Sequence, residues 1–503
     1  MKLRISLLSF FLTLSLLCLA QKSKKREFRG AWIQTAFQSQ YTRMQQDSMQ
    51  NYFIKLLDNL KECKINAVIF QMRPSADAFY LSDVEPVSRF LTGTQGVWNQ
   101  KQWDPALFVL EECHKRNIEF HAWLNPYRVT TSATETLHPE HIYFKHPSWF
   151  VEYGGKKYFD PGQPQCRKFY RDVIIDIATR YDVDGIHMDD YFYPYPIAGV
   201  EFPDEASFLT YHEKQGFSEN ERDDWRRSNV DILIKSIHED LILLKPWVRF
   251  GISPFGIYRN NRSWAEGSKT NGLQNYDDLY ADVLKWTENG WIDYLIPQLY
   301  WEIGHTAADY TTLCNWWNKH NNDIPLYIGQ SISRSLDQGD DLSESDDHFS
   351  DKIEQTRELE FIDGNCFWYG YQIDNNEHKI ADVLKDKYHK YEALIPQYER
   401  IDTESPDRGK RPRTKWDDKG YKLYWDEVKD DNPMQDTYYY CVYSFPRGEK
   451  KDFDNPKYLV ATTKEPFYYM PYKKTRRRHT YYVTVVDRMH NESKPSKRQR
   501  VRL

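Results

Sequence analysis

Short apolar runs alternate with longer segments of helical periodicity between Phe28 and Glu392. The runs are rich in β-branched and aromatic residues, which favour strands. We predict eight strands, at Arg29–Thr35, Ala67–Arg73, Glu119–Pro126, Gly185–Tyr191, Arg249–Pro254, Tyr294–Trp301, Leu326–Ser331 and Phe367–Ile373. The predicted helices are Met49–Cys63, Pro105–Arg116, Gln165–Tyr181, Arg222–Leu244, Asp277–Asn289, Thr306–His320, Asp347–Phe361 and Glu377–Tyr391. Because eight βα units close a parallel barrel, the pattern predicts a (β/α)8 barrel of the α/β class.

The alternating pattern ends at a charged, proline-containing segment, Asp407–Arg413, within a linker that we place at residues 396–415. Beyond it, runs such as Tyr421–Trp425 and Tyr481–Val486 alternate like the strands of a small β-sandwich. The predicted domains are therefore a barrel at 27–395 and an all-β sandwich at 416–503. The sandwich is either a glycan-binding module or a packing partner of the barrel, and the pattern favours the second because fold alone does not imply function.

The first twenty residues have the features of an export signal. Lys2 and Arg4 precede an apolar run, Leu7–Leu17, and Ala20 ends a segment suited to cleavage. We therefore predict a signal peptide at 1–20 and a periplasmic or cell-surface protein. The alternative is a lipoprotein attached through Cys18. No later stretch reaches the roughly 20 apolar residues that cross a bilayer, so we predict no transmembrane segment.

The composition of the chain limits the class of ligand that it is expected to bind. The net charge of −6, from 68 basic and 74 acidic residues, gives no attraction to nucleic acid or to anionic membranes. Aromatic residues make up 16% of the chain, and flat rings with polar edges suit stacking against sugars. The cysteines after Cys18 are scattered through predicted helices and strands, so we expect buried free thiols. No Cys/His spacing indicates a metal site, and we predict no cofactor.

The fourth predicted strand runs into the densest polar cluster of the chain. Alternate side chains of a strand share a face, so we expect His187 and Asp189 to point one way and Asp190 the other. Glycosidic cleavage requires a carboxyl that protonates the leaving oxygen and a second group that attacks or activates water. The candidate catalytic residues are Asp189, Asp190 and Glu302. Because strands five and seven end without carboxylates, the second group stays open, and an N-acetyl group of the substrate is one possibility.

Hydrogen-bonding and aromatic residues collect near the carboxyl ends of several predicted strands, where barrel enzymes bind substrate. Long connections follow strands two, three, four and seven at the same end. The candidate substrate-binding residues are Trp32, Gln71, Arg73, Asn125, Tyr127, Arg128, His187, Tyr191, Gln298, Tyr300, Trp301 and Trp368. Their joint placement suits a sugar cleft, since hydroxyls need directional partners and pyranose faces need flat apolar ones.

Several segments together resemble the glycosyl-hydrolase-like family 10. They are Phe28–Trp32, Gln71–Ser75, Leu91–Gly93, Ala122–Arg128, Asp184–Pro194 and Pro297–Trp301, with Met72 departing from the expected small β-branched residue. The resemblance implies an exported barrel that cleaves peptidoglycan glycan strands lacking stem peptides, and hence a substrate with N-acetylamino sugars. It puts Asp189 and Asp190 at the centre, surrounded by Arg73, Asn125, His187, Gln298 and Tyr300.

Two further likenesses are less specific. Asp184–Asp189 resembles the aspartate-rich strand of family 18 chitinases, although Tyr191 stands where those enzymes place their acid glutamate. Tyr481–Arg488 and Asn491–Ser493 are similar to fibronectin type III modules. The leading prediction is an exported glycoside hydrolase of a cell-wall glycan. Its alternatives are a glycan-binding barrel without catalysis and a polysaccharide deacetylase.

Overall fold

The computed structural model describes residues 23–98, 103–335, 348–472 and 477–503. The predicted signal peptide, with Cys18, lies outside these residues. Within the described ranges, no helix combines the length and apolarity needed to cross a membrane. The cysteines of the described ranges are all free and buried, which confirms the expectation of structural thiols.

Eight parallel strands form the sheet at the centre of the fold. They are β1 Phe28–Ile33, β2 Ala67–Arg73, β3 Glu119–Leu124, β6 Gly185–Met188, β7 Arg249–Ile252, β8 Tyr294–Leu295, β9 Tyr327–Ser331 and β10 Gly364–Trp368. A hairpin of β4 Phe150–Tyr153 and β5 Lys156–Phe159 lies between β3 and β6. The sheet order is β8-β7-β6-β3-β2-β1-β10-β9, and parallel bridges Leu295–Leu326 and Gln298–Gly329 join its two edges. The predicted barrel is confirmed.

Helices connect the strands and cover the sheet. The α-helices are Gln46–Glu62, Arg89–Thr92, Pro105–Lys115, Ile142–Lys145, Pro164–Arg180, Glu205–Tyr211, Arg222–Leu244, Asn275–Asp278, Val283–Glu288, Tyr310–Lys319, Ile332–Ser335, His348–Glu358, Gly370–Asp374 and Ile380–Val383. Short 3-10 turns occur at Tyr41–Arg43, Pro147–Trp149, Glu213–Gln215, Glu377–Lys379 and Pro456–Tyr458, with a π-helix at Leu384–Tyr388. Capping residues determine where several of these helices begin. For example, Asp104 caps the helix Pro105–Lys115 by accepting a 3.0 Å hydrogen bond from the Leu107 amide.

Several predicted strands are shorter than the sequence pattern indicated, and the fourth ends at Met188, before Asp189, and not at Tyr191 as predicted. The sixth is regular only over Tyr294–Leu295, because Pro297 has no N–H to continue a ladder. The eighth ends at Trp368, and Gly370 begins a helical turn, so the prediction of a strand to Ile373 was wrong. The predicted helix Asp277–Asn289 is also divided, into Asn275–Asp278 and Val283–Glu288.

The C-terminal region is all β, as predicted. Its strands are β11 Arg413–Asp417, β12 Gly420–Tyr424, β13 Tyr439–Pro446, β14 Leu459–Thr463, β15 Phe467–Tyr469, β16 Arg478–Val486 and β17 Gln499–Arg502. They form a three-stranded sheet, β11-β12-β15, and a four-stranded sheet, β14-β13-β16-β17. The first strand begins at Arg413, inside the range predicted as a linker. The likeness to fibronectin type III modules stays a prediction.

The C-terminal region packs on the floor of the barrel, at the amino ends of its strands. There the buried carboxylate of Glu119 forms an ion pair with Arg249 and accepts hydrogen bonds from His121 (3.0 Å) and His490 (2.7 Å). Burial alone would raise the pKa of Glu119, but Arg249 and His490 hold it well below its usual range. The Tyr438 hydroxyl also donates to Asp184. Charged and hydrogen-bonded contacts of this kind make the region a packing partner of the barrel.

Loss of the Glu119 charge should destabilise the whole fold. Glu119→Gln leaves the Arg249 guanidinium buried without its counter-charge, and breaking such a pair costs about 3–5 kcal/mol. We expect a loss of that order in the free energy of unfolding, measured by urea titration followed by tryptophan fluorescence. The matched control is Asp172→Asn, which removes an acid from the exposed pair with Lys168 and should change stability by less than about 1 kcal/mol. Equal losses of stability from the two substitutions would contradict the role of Glu119 as the counter-charge of the buried Arg249.

Candidate active site

A cavity of about 390 Å³ opens at the carboxyl ends of the barrel strands. Its lining comes from residues at or just after β1, β6, β7, β8, β9 and β10, which is where a (β/α)8 barrel exposes side chains to a ligand. The lining residues are Trp32, Asp189, Tyr191, Tyr195, Ser253, Phe255, Gln298, Tyr300, Trp301, Ser331, Ser333, Arg334 and Trp368. Aromatic rings form much of this wall, and hydroxyl, amide and carboxyl groups project between them.

Asp189 is the carboxylate of this lining. It follows β6 directly, and its Oδ1 accepts hydrogen bonds from Gln298 Nε2 (2.7 Å) and from the Asp190 amide (2.8 Å). Gln298 Nε2 also donates to the Ser253 carbonyl at 2.9 Å, so the amide that orients Asp189 is itself fixed. Burial raises the pKa of Asp189, although these hydrogen bonds favour its charged form. The result is an oriented acid in contact with the cavity.

Asp190 is buried and does not line the cavity, but its carboxyl group is hydrogen-bonded with that of Asp189, so the two side chains do not point to opposite sides as predicted. Its Oδ2 accepts a 2.5 Å hydrogen bond from the Tyr195 hydroxyl. Burial, followed by the negative charge of Asp189, raises the pKa of Asp190 well above its usual range. Two adjacent carboxyls in such surroundings resist simultaneous ionisation, so the pair retains one proton over a wider pH range than an exposed pair would.

His187 lies beneath the cavity and supports its floor. Its Nε2 is 2.9 Å from Ser253 Oγ, and its Nδ1 is 3.0 Å from the Tyr294 hydroxyl, which in turn lies 2.7 Å from His121 Nδ1. Burial lowers the pKa of His187 well below its ordinary value, so the ring is neutral at physiological pH. His187 therefore holds the Ser253 hydroxyl in place through a hydrogen bond.

The family model described as Glycosyl hydrolase-like 10 matches residues 27–344. The chain belongs to this family. Glycosyl hydrolase YngK of Bacillus subtilis (strain 168) is 38% identical over 506 residues, which cover 98% of this chain and 97% of the relative. Glycosyl hydrolase DigH of Escherichia coli (strain K12) is 33% identical over 320 residues, 59% of this chain and 70% of the relative. The family and these relatives support a glycoside hydrolase-like enzyme.

Among solved structures, the catalytic domain of a β-amylase from Paenibacillus polymyxa is similar, with a TM-score of 0.48 and 10% identity. The match covers 73% of this chain and 98% of that one.

Seven of the predicted site residues of this glycosyl hydrolase-like 10 member meet in the cavity: Trp32, Asp189, Tyr191, Gln298, Tyr300, Trp301 and Trp368. Glu302 is exposed and lies outside that lining. The regular strand before it ends at Leu295, so the position of Glu302 after the sixth predicted strand does not direct its side chain to the cavity. The geometry therefore does not join Glu302 to the aspartates as a catalytic partner.

Four predicted binding residues lie below the cavity and hold its framework. Arg73 is fully buried and paired with Glu85 at 2.6 Å. Gln71 accepts hydrogen bonds from the amides of Thr35 and Ala36. In the same layer, Asn125 donates to the Pro74 carbonyl at 3.1 Å, and Tyr127 is buried. Arg73, Gln71 and Asn125 are held by these contacts within the fold, whereas the buried Tyr127 hydroxyl has no hydrogen-bond partner among the described residues. Arg128 lines a neighbouring cavity instead.

Sequence reasoning missed several lining residues: Tyr195, Ser253, Phe255, Ser331, Ser333 and Arg334. Ser253 and Ser331 stand at the carboxyl ends of the fifth and seventh predicted strands, the position that marked the other candidates. A serine at a strand end is common in any barrel, so its residue type alone did not indicate a ligand contact. Tyr195 gave no local signal, since its contact with Asp190 depends on the path of a loop. Within the described ranges, no group of His, Cys, Asp and Glu side chains could hold a metal ion.

Ionisation of Asp190 should lower stability as the pH rises. Because its pKa is raised by folding, the folded state binds the proton more tightly, and stability falls between the unfolded pKa, about 3.9, and the folded one. We expect Asp190→Asn to stabilise the protein at pH 7 by about 0.5–2 kcal/mol. The gain should vanish near pH 4, measured by urea unfolding at both pH values. A gain that is equal at both values would contradict the raised pKa.

Proposed function

We propose that this protein is an exported glycoside hydrolase that cleaves peptidoglycan strands containing N-acetylamino sugars. The observation that carries the proposal is Asp189, a partly buried and oriented carboxyl group in a cavity walled by aromatic rings. Membership of the family supports hydrolysis of a glycan. The charged and apolar start of the chain supports export, and the cell wall is a glycan that an exported bacterial enzyme encounters.

In the proposed reaction, Asp189 protonates the leaving oxygen. A general acid must hold its proton near the working pH, and burial raises the pKa of Asp189 in that direction. Gln298 fixes the carboxyl toward the cavity, and the rings of Trp32 and Trp368 supply apolar faces for a sugar.

The substrate itself supplies the nucleophile in this proposal. Among the described residues, Asp189 is the sole carboxylate of the cavity lining, which favours attack by the carbonyl oxygen of the neighbouring acetamido group. That oxygen bonds to C1 as the C1–O bond breaks, and the Asp189 proton passes to the leaving oxygen. Water then attacks C1, opens the oxazoline ring and returns a proton to Asp189. Tyr300 also lines the cavity and offers a hydroxyl donor for the sugar.

Removal of the acid should abolish most turnover. General acid catalysis contributes about 10²–10⁴ in rate, so Asp189→Asn should lower kcat on peptide-free peptidoglycan strands by at least about 100-fold. Folding and glycan affinity should be retained, because Asn keeps the shape and can still accept from Gln298. The measurement is chromatography of released saccharides, with mass spectrometry to separate chain cleavage from loss of acetate.

The adjacent carboxyl is the matched control. Asp190→Asn removes an acid that does not line the cavity, so its effect on kcat should be about tenfold or less. If Asp190→Asn abolishes turnover while Asp189→Asn remains active, the two roles are exchanged. If both variants match the wild type, the aspartates are structural. Saturable binding without products from the wild type would indicate a glycan-binding barrel, and release of acetate alone a deacetylase.

Dependence on the acetamido group gives a separate prediction. Strands whose amino sugars have been chemically de-N-acetylated lack the proposed nucleophile, so we expect hydrolysis to fall by at least about 100-fold. Re-acetylation of the same strands should restore it, and the products should retain the anomeric configuration by NMR. Inversion of configuration, or full activity on de-N-acetylated strands, would instead require a protein nucleophile or an activated water.

A further inference from the structure

A second cavity of about 260 Å³ lies beside the active-site cavity. The two share Tyr191 and Tyr195, so the second continues the first along the carboxyl face of the barrel. Its other walls include Arg128, Tyr153, Lys156 and Tyr158. Most of these residues belong to the connection between β3 and β6, which is not required to close the barrel.

The β4–β5 hairpin aligns these side chains by its strand register. Arg128 is paired with Tyr158 through an antiparallel bridge, and β4–β5 pairing sets Tyr153 opposite Lys156. Backbone hydrogen bonds from Val129 to Lys157 (3.1 Å) and from Phe159 to Tyr127 (2.9 Å) fix this register. Because side chains alternate along a strand, Lys156 and Tyr158 share the cavity face. Lys157 points to the other face, where its ammonium lies 5.6 Å from the Tyr143 ring.

The cavity contains two cations that form no ion pair within the described residues, although the charge of Arg128 lowers the pKa of the neighbouring Asp189. Arg128 donates to the Pro74 carbonyl through Nε (3.2 Å) and Nη2 (3.0 Å), and its guanidinium lies 4.8 Å from the centre of the Tyr191 ring. Neither Arg128 nor Lys156 takes part in an ion pair within the described ranges. By contrast, Arg89, which lies near Arg128, is paired with Glu135.

We propose that this second cavity is a subsite for a sugar that bears a free carboxylate. The proposal rests on the proposed function: alternate sugars of peptidoglycan carry a lactyl ether, whose carboxylate is free once the peptide is removed. Arg128 and Lys156 would bind that carboxylate, and the rings of Tyr158 and Tyr191 would contact the sugar. An amidated lactyl group, or a glycan of neutral N-acetylamino sugars, lacks the charge and binds more weakly. The subsite therefore discriminates between charged and neutral units of an otherwise similar glycan.

Lys156→Gln tests the subsite, with Lys157→Gln as its matched control, since both remove one positive charge from adjacent positions. The probe is a lactyl-bearing cell-wall oligosaccharide, compared with the same oligosaccharide amidated at its carboxylates. We expect Lys156→Gln to raise KM for the free acid about 2- to 5-fold, as for a partly exposed ion pair, with no comparable change for the amide. The difference should shrink in 0.5 M salt. Lys157→Gln should behave as the wild type does on both probes.

Calorimetric titration of the unmodified protein with the same two probes separates the two proposals. Tighter binding of the free acid supports the subsite even if neither probe is cleaved, in which case the proposed hydrolysis fails. Equal affinity for acid and amide, or an equal effect of Lys156→Gln and Lys157→Gln, overturns the subsite even if both probes are cleaved. Arg128→Gln provides a second variant, and its loss of affinity should be larger for the acid than for the amide.

Discussion

The buried carboxylate of Glu119 is the contact on which the arrangement of the molecule depends. It joins three parts of the chain, since it begins β3, pairs with Arg249 at the start of β7 and accepts from His490 of the C-terminal region. A charge in this position is tolerated only because every neighbour that faces it donates a proton or carries the opposite charge. The C-terminal region therefore completes the barrel floor, and its β13 is buried along nearly its whole length.

A chain of hydrogen bonds runs from this floor to the active-site cavity. It passes from Glu119 to His121, through the Tyr294 hydroxyl to His187, and ends at Ser253. The Ser253 carbonyl then accepts from Gln298, which also holds Asp189. Polar networks inside a protein are rigid when every member is satisfied. Here the network crosses the barrel interior beside buried apolar residues such as Phe28 and Ile69, and it fixes the Ser253 and Gln298 groups next to the candidate acid.

The carboxyl face combines groups that oppose stability with a loop that contributes selectivity. Burial of Asp189 and Asp190 raises both pKa values, which disfavours the folded state at neutral pH but gives an acid that can hold a proton. The β4–β5 hairpin adds a separate wall beside this centre, where its Lys156 lies with Arg128, and neither side chain forms an ion pair in the described residues. Changes to such a hairpin would alter ligand preference without disturbing the barrel, because the eight strands of the barrel do not pair with β4 or β5.

The sequence by itself determined the parallel barrel and most helix positions, because periodicity and helix caps are local properties of the chain. It could not determine the fate of Glu302 or Arg73. Strand geometry ends at Leu295, so alternation no longer predicts the side on which Glu302 lies. Arg73 reaches a strand end like the others, but a buried Glu85 from the following loop pairs with it. The tertiary structure decided these cases, and it also placed Tyr195, Lys156 and His490. Their partners are distant in sequence or depend on loop paths, and no local pattern encodes which side chains will meet.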